Sequence, residues 1–228
     1  MILRGAFQGG GDPLWSSVKA LLHFDGSNGS TTFTDSKGLH TWSRSGDAII
    51  STAQAQWNQS GYFDGAGDYI SSDSHADFAL GASDFSIEFW YRPNSSSVTQ
   101  NIIANGMSWG ANCFGFTDKH VGVPTKFTFW SYNLNTSTAV LTSTSVVTTG
   151  TWYFIQLVRN GANLYLYING SQEATANIST SNIDSAASRA MIIGGDAVGS
   201  YCNAYIDDFR FTRAVRSAVL PTAPFPNS

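Results

Sequence analysis

Two neighbouring runs, Thr151–Arg159 (TWYFIQLVR) and Asn163–Asn169 (NLYLYIN), constrain the fold more than any other part of this chain. In the second run Leu164, Leu166 and Ile168 alternate strictly with Tyr165 and Tyr167, the period-two pattern of a strand with one apolar face. In the first, Trp152, Phe154 and, after a shift of parity, Leu157 mark the strand before it. Asn160-Gly161 at the junction favours positive φ and a tight hairpin turn, and Asn169-Gly170 repeats that signal directly afterwards. The sequence therefore predicts three consecutive antiparallel strands here.

The pattern extends along the chain. From Val18 to Thr212, short apolar or alternating runs are separated by turns rich in Gly, Asn, Asp and Ser, with no apolar repeat of helical length and period. Only 75–79 and 214–218 suit a single helical turn. About a dozen short strands without a linker or a fixed-period repeat predict one all-β domain, a two-sheet antiparallel β-sandwich, over residues 18–228. Charged residues make up 12% of the chain, about half the usual share, and fifty residues are Ser or Thr, so the outer faces must be hydroxyl-rich. The 12 Lys and Arg form no basic run and the net charge is −4, which disfavours nucleic acid as a partner. No segment is long and apolar enough for membrane insertion, and the first residues are too short an apolar stretch for a signal peptide. Cys113 and Cys202, the two cysteines, read as buried free thiols or as one disulfide.

Residues 1–17 read as an extended arm. Gly9, Gly10, Gly11 and Asp12-Pro13 oppose regular structure, while Ile2, Leu3, Phe7, Leu14 and Trp15 make the segment apolar enough to seek a neighbouring subunit or a larger assembly. At the other end, Leu220–Pro226 carries three prolines and predicts an extended strip anchored by Phe225.

Five motifs then occur in order: ALLHFDGSNGSTTFTDSKG (20–38), YFDGAGDYI (62–70), DFSIEFWYRP (84–93), GTWYFIQLVRNGANLYLYINGS (150–171) and YIDDFRFTRAV (205–215). The series resembles the laminin-G-like and pentraxin-like jelly rolls of the concanavalin A-like superfamily, over roughly residues 18–218. With HFDG near the start and PTAPFP near the end, it is similar to the laminin-G-like modules of tailed-phage virion proteins. The resemblance implies a jelly roll displayed on a virion as a tail or head fibre or a capsid decoration. It implies contact with other virion proteins through the arm, host-surface glycan binding, and a homo-oligomer, with a trimer favoured. A secreted lectin is the alternative, and a glycoside hydrolase the third reading.

A retaining hydrolase needs two carboxylates about 5 Å apart. Phe85–Arg92 offers only Glu88, Glu173 follows a turn, and Asp207 and Asp208 are adjacent and so predicted on opposite faces; the sequence is expected to be non-enzymatic. The histidines lack the spacing of a zinc site. Calcium is the expected ion, held by Asp25 with Asp207 or Asp208, because family members of this shape bring the first and last strands together; the bland alternative has Asp25 capping a turn and Asp207 or Asp208 pairing with Arg210 or Arg213. Asp64, Asp68 and Asp73 read as turn chemistry. For glycan contact the candidates are Trp109, Trp130, Tyr132, Tyr201 and Asn203, aromatics and an amide in loops or on one strand face. Trp90, Trp152 and Phe154 are assigned to the sandwich; Trp42 and Trp57 are unassigned.

Overall fold

The structure, a computed structural model, describes residues 11–95, 99–105, 113–119, 125–134, 139–196 and 199–228. Fifteen strands occur among them: β1 (Val18–Leu22), β2 (Trp42–Ser45), β3 (Ile49–Ser51), β4 (Ser60–Asp64), β5 (Tyr69–Ser72), β6 (Phe85–Pro93), β7 (Gln100–Ala104), β8 (Phe114–Asp118), β9 (Lys126–Ser131), β10 (Leu141–Val146), β11 (Tyr153–Asn160), β12 (Asn163–Ile168), β13 (Ser171–Asn177), β14 (Ile192–Ile193) and β15 (Asn203–Thr212). They form an eight-stranded sheet, β13-β12-β11-β6-β15-β4-β3 with β1 beside the later half of β15, and a seven-stranded sheet, β10-β9-β8-β7-β14-β5-β2. All pairings are antiparallel, and the two sheets make the expected sandwich.

The hairpin follows the sequence closely, with one shift. Asn160 pairs with Asn163, so the two-residue loop is Gly161-Ala162, and Gly161 takes the positive φ of +57°. Asn169 and Gly170 both have positive φ, as a type I′ turn requires. Leu164, Leu166 and Ile168 enter the core. The strand missed in the sequence is β2: Trp-Ser-Arg-Ser at a sheet edge, half exposed, carries no alternation to betray it. Residues 76–78 form the expected helical turn; 214–218 do not. Cys113 and Cys202 are buried free thiols.

The core between the sheets is rich in aromatics: Phe85, Phe89, Phe209 and Phe211 from one sheet, Phe114, Phe116, Phe127 and Phe129 from the other. A second apolar cluster lies on the outward face of the eight-stranded sheet. Trp90 and Phe154 stand there beside Val18 and Leu21, under Phe225, Trp15, Trp57 and Trp152. Trp90 and Phe154 thus sit outside the sandwich interior, because Phe89 and Ile155 take the inward parity. Phe225 anchors the C-terminal strip as expected, with the Arg210 guanidinium 3.6 Å from its ring centre.

The predicted arm shortens. Trp15 opens a 3₁₀ turn, Trp15–Ser17, that packs on this outer cluster, and Leu14 is half-buried beside it. Ile2, Leu3 and Phe7 lie outside the described residues. What holds the turn is Asp12. Its side chain is wholly buried; it accepts from Arg216 Nη1 at 3.0 Å and Nη2 at 2.6 Å, from Arg210 Nη1 at 3.1 Å and from the Leu14 N–H at 2.9 Å. Burial works against that charge, but the arginines and the Leu14 N–H outweigh it and hold the carboxyl below its ordinary range. Glu88 completes the cluster, 2.8 Å from Arg210.

Replacing Asp12 with alanine leaves Arg216 buried without its main counter-charge. We predict that Asp12→Ala loses about 3–5 kcal/mol of unfolding free energy in urea titrations; a loss below about 1 kcal/mol would show that the cluster does not hold this face closed.

Candidate functional site

The second apolar cluster covers the middle of the eight-stranded sheet's outward face, leaving Tyr62, Tyr165, Tyr167 and Tyr205 half-buried, and the seven-stranded sheet carries a polar row on the face turned away from the core. Phe114, Phe116, Phe127 and Phe129 take the inward parity of β8 and β9, which turns Gly115, Thr117, Thr128 and Trp130 outward. Gly115 lies directly across from Trp130. A Cβ on Gly115 would come within 2.5 Å of the indole, so glycine is what lets Trp130 lie flat on the sheet. Trp130 is buried yet belongs to neither apolar cluster.

Beside it runs a polar row. Thr117 pairs with Thr128, with 2.6 Å between their hydroxyl oxygens, and Asn101 of β7 pairs with Thr117 and so shares the face. Asn101 donates from Nδ2 to Asp196 Oδ2 at 2.8 Å. Asp196 is itself fixed through Oδ1 by the N–H groups of Gly199 and Ser200, at 3.1 and 3.0 Å. Asn101 Oδ1 is buried and has no hydrogen-bond partner among the described residues. An acceptor left this way costs about 1–3 kcal/mol unless something donates to it.

Tyr201 follows on the same loop as Asp196. Its ring stacks on Tyr69 of β5, with centroids 6.3 Å apart and planes within 5°. From β9 to β5 are four strand spacings, so Trp130 and the tyrosine pair lie roughly 19 Å apart across the sheet. Asn203 belongs instead to β15, where its N–H donates to Gln100 Oε1 at 2.6 Å. Tyr132 has left the strand; it is exposed, in the turn after β9, with its N–H on the Cys113 carbonyl. Trp109 lies outside the described residues. Of the candidates read from the sequence, Trp130 lies on this face and Tyr201 on the loop beside it; Asn101, Thr117, Thr128 and Asp196 were not among them, the strand residues being marked only by parity opposite inward phenylalanines and Asp196 by nothing local.

The three acids expected to hold calcium meet near β15 without forming a compact cage. A bulge between Asp207 and Arg210, with Asp208 at φ +49°, breaks the alternation. Asp207 and Asp208 consequently both reach segments covering the outer face, rather than opposite faces. Asp207 Oδ2 accepts the N–H groups of Gln56 and Trp57, both at 2.9 Å. Asp208 lies 2.6 Å from His23 Nδ1 and accepts the Phe225 N–H at 2.8 Å, so neither expected arginine is its partner. Asp25 accepts from Asn58 Nδ2 at 3.2 Å. Among the described residues, three His, Cys, Asp or Glu ligand atoms fall within 4.8 Å of one another only at His40, His75 and Asp77. The fit to calcium narrows to Asp207 Oδ1, which is buried without a hydrogen-bond partner. Burial first, then the charges of Asp208 and Asp25, push this carboxyl up to about 7 against the pull of the two N–H groups. Asp64 and Asp68 do serve turns, accepting the N–H groups of Ala66 and Asp64.

The remaining acids have structural partners. Glu88 faces Arg210 and Gln156 beneath the second cluster. Glu173 accepts from Thr144 and Ser145. Asp118 has the raised pKa of a proton donor, about 6, caused by burial and opposed by Tyr91 and Lys119, but it points into the sandwich, with Tyr91 Oη donating to it at 2.7 Å.

A fold of this kind can be placed among known proteins. Residues 63–219 match a laminin-G family described as the concanavalin A-like lectin/glucanases superfamily. The chain belongs to this family. Among solved structures, this concanavalin A-like domain is similar to domain 4 of AbnA, a GH43 extracellular arabinanase from Geobacillus stearothermophilus, in complex with arabinotriose. The TM-score is 0.61 at 13% identity, over 87% of this chain and 93% of that one. The botulinum neurotoxin serotype C1 binding domain gives a TM-score of 0.65 at 15% identity, over 90% of this chain and 50% of that one. Trypanosoma rangeli sialidase, in complex with the inhibitor DANA, gives 0.61 at 12% identity, over 87% and 31%. The domain thus spans about half of the toxin fragment and a third of the sialidase. At these identities the likeness is one of fold. No curated protein matches the chain significantly in sequence.

The Asp118 environment makes a pH prediction. The folded state holds this proton from about pH 6 downwards, whereas the unfolded carboxyl releases it near 3.8. The folded state therefore binds the extra proton between those values, and this group adds stability as pH falls through about 6 and removes it as pH rises. Asp118→Asn is expected to be more stable than the parent at pH 8 by about 1–3 kcal/mol, with the gap closing by pH 4. Parallel stability–pH curves for the two proteins would refute this origin.

Proposed function

We propose that this concanavalin A-like domain is a non-catalytic glycan-binding module, with the outward face of the seven-stranded sheet as its binding surface. The observation that carries the reading is Trp130 lying over Gly115 next to the Thr128–Thr117–Asn101–Asp196 row, with an unanswered acceptor at Asn101 Oδ1. Trp130 is 6% exposed and Asn101, Thr117, Thr128 and Asp196 no more than 3%, so a sugar would reach them only after this face opens; the indole would then supply an apolar stacking surface, and the hydroxyl, amide and carboxylate groups beside it match the donor and acceptor pattern of a sugar. The AbnA domain, a structural neighbour, was solved with arabinotriose, which accords with this choice of ligand class. The non-catalytic part is supported by the engagement of Glu88 and Glu173 with structural partners and by the inward aim of Asp118.

The wider setting proposed is a phage particle, on which the module would be displayed as a homo-oligomer and held by the residues preceding Asp12. Its support is the motif resemblance, HFDG and PTAPFP together with the apolar Ile2, Leu3 and Phe7. Deleting residues 1–11 is expected to abolish incorporation into particles while leaving glycan binding intact; normal incorporation would remove the anchoring role. Calcium belongs to the same proposal as a structural ligand of Asp207, supported by the partnerless Oδ1. A melting temperature raised by millimolar calcium and restored by chelator, but unchanged in Asp207→Asn, is the expected result; no response in the parent protein removes the ion.

The binding test uses an immobilised panel of arabinan, β-glucan and bacterial lipopolysaccharide glycans. Trp130→Phe and Tyr201→Ala should each weaken binding about tenfold, roughly 1.4 kcal/mol, with unchanged circular dichroism. Full affinity in both variants would exclude this face. Release of new reducing ends from any panel member would overturn the non-catalytic reading.

A further inference from the structure

His40, His75 and Asp77 gather at a place the glycan reading does not use. His40 comes from the connection between β1 and β2, and the other two from the start of the 3₁₀ turn Ala76–Phe78 after β5. One ligand atom from each lies within 4.8 Å of the other two. The His40 ring packs on Phe78 with centroids 4.5 Å apart and is 8% exposed. Its Nε2 is buried and makes no hydrogen bond. The atom it faces is Asp77 Oδ2, at 3.3 Å but outside hydrogen-bond geometry; the same oxygen is 3.2 Å from His75 Nδ1. Lys19 Nζ sits 3.3 Å from the other oxygen, Oδ1, which leaves Oδ2 to the imidazoles.

We propose that these three side chains bind a divalent transition-metal ion of the zinc type. Metal–ligand bonds of about 2.0–2.1 Å in a tetrahedron separate neighbouring ligand atoms by about 3.3 Å. The 3.3 Å from His40 Nε2 to Asp77 Oδ2 fits that edge as it stands; His75 Nδ1, 3.2 Å from the same oxygen, accepts the Asp77 N–H, so that ring must turn to offer a nitrogen. Two imidazoles with one carboxylate favour zinc, nickel or copper over calcium and magnesium, which take oxygen. On the far side of the His40 ring, Nδ1 faces both oxygens of Asp73 at 3.3 and 3.4 Å. A carboxylate there keeps the proton on Nδ1 and aims the Nε2 lone pair at the cluster, the usual outer support of a metal-bound histidine. Without a cation, that buried lone pair faces Asp77 Oδ2, a second acceptor on a partly exposed side chain. His75, about half exposed, caps the Asp77 N–H through Nδ1 at 3.1 Å and has room to turn a ring nitrogen to the ion. The fourth position opens to solvent beside His75. Asp73 thus acts as a positioning residue and the other three as ligands. A bound ion would tie the β1–β2 connection to the turn that carries Phe78 into the core.

Zinc chloride titrated into the intact chain by calorimetry, and cobalt followed by its visible absorption, read the site directly. One zinc per chain is expected, with cobalt bands of a four-coordinate nitrogen–oxygen site and no competition from calcium. Because His40 is buried, His75→Ala is the deciding variant; it should retain the parent circular dichroism and lose stoichiometric binding. Asp73→Asn should weaken zinc about 10–100-fold while keeping the stoichiometry, and His23→Gln, a control at Asp208, should leave it unchanged. Absence of stoichiometric zinc uptake by the parent, or equal affinity in parent and His75→Ala, would overturn the proposal. In the first case the contacts of His40 with Asp73 and Asp77 are structural only.

Discussion

Arg210 is the residue on which the eight-stranded sheet depends. It stands on β15, the strand that pairs with β6 on one side and with β1 and β4 on the other. On the outward face its guanidinium meets Glu88, Asp12 and the ring of Phe225 at once. A sheet buried on both sides cannot carry a lone charge there, since an uncompensated buried ion costs several kcal/mol. Arg210 therefore gathers its counter-charges from β6 and from the chain before β1, and its apolar cover from the C-terminal strip. The two ends of the described chain meet on it: Gly11 and Asp12 reach the backbone of Ser228.

That closure divides the work between the two sheets. Trp15, Trp57, Trp152 and Phe225 close over the middle of one outer face, around Trp90 and Phe154. The seven-stranded sheet has the complementary device, a glycine where a side chain would stand, so that Trp130 can lie against the strand and leave a polar row beside it. The same economy appears at β15, where a bulge turns Asp207 and Asp208 to one side. Asp207 then secures Gln56–Trp57 and Asp208 secures Phe225, so the adjacent acids pin two separate pieces of the cover.

Different parts of this arrangement were legible to different degrees. The hairpin of β11 and β12 was readable because local rules suffice: alternation sets the face, and Gly161 and Asn169-Gly170 set the turns. Phe225 was readable as an anchor because a large apolar residue among prolines has few other fates. β2 was not, since an edge strand packed on one neighbour need not show a period. Trp90 and Phe154 lie inside motif strands and so read as sandwich residues, but a strand covered on both faces hides which parity points inward.

The sequence alone determined the all-β class, the antiparallel order of β11, β12 and β13, the C-terminal anchor and the family. These follow from backbone periodicity and turn chemistry, which act over a few residues. Only the tertiary structure decided which residues cover the outer face of the eight-stranded sheet, that Asp12 belongs to a buried ion cluster, that Asn101 lies beside Thr117 and Asp196, and that His40 meets His75 and Asp77. Each of these joins residues far apart in the chain, and sheet register, bulges and burial choose such pairings through the whole packed core rather than through any local pattern.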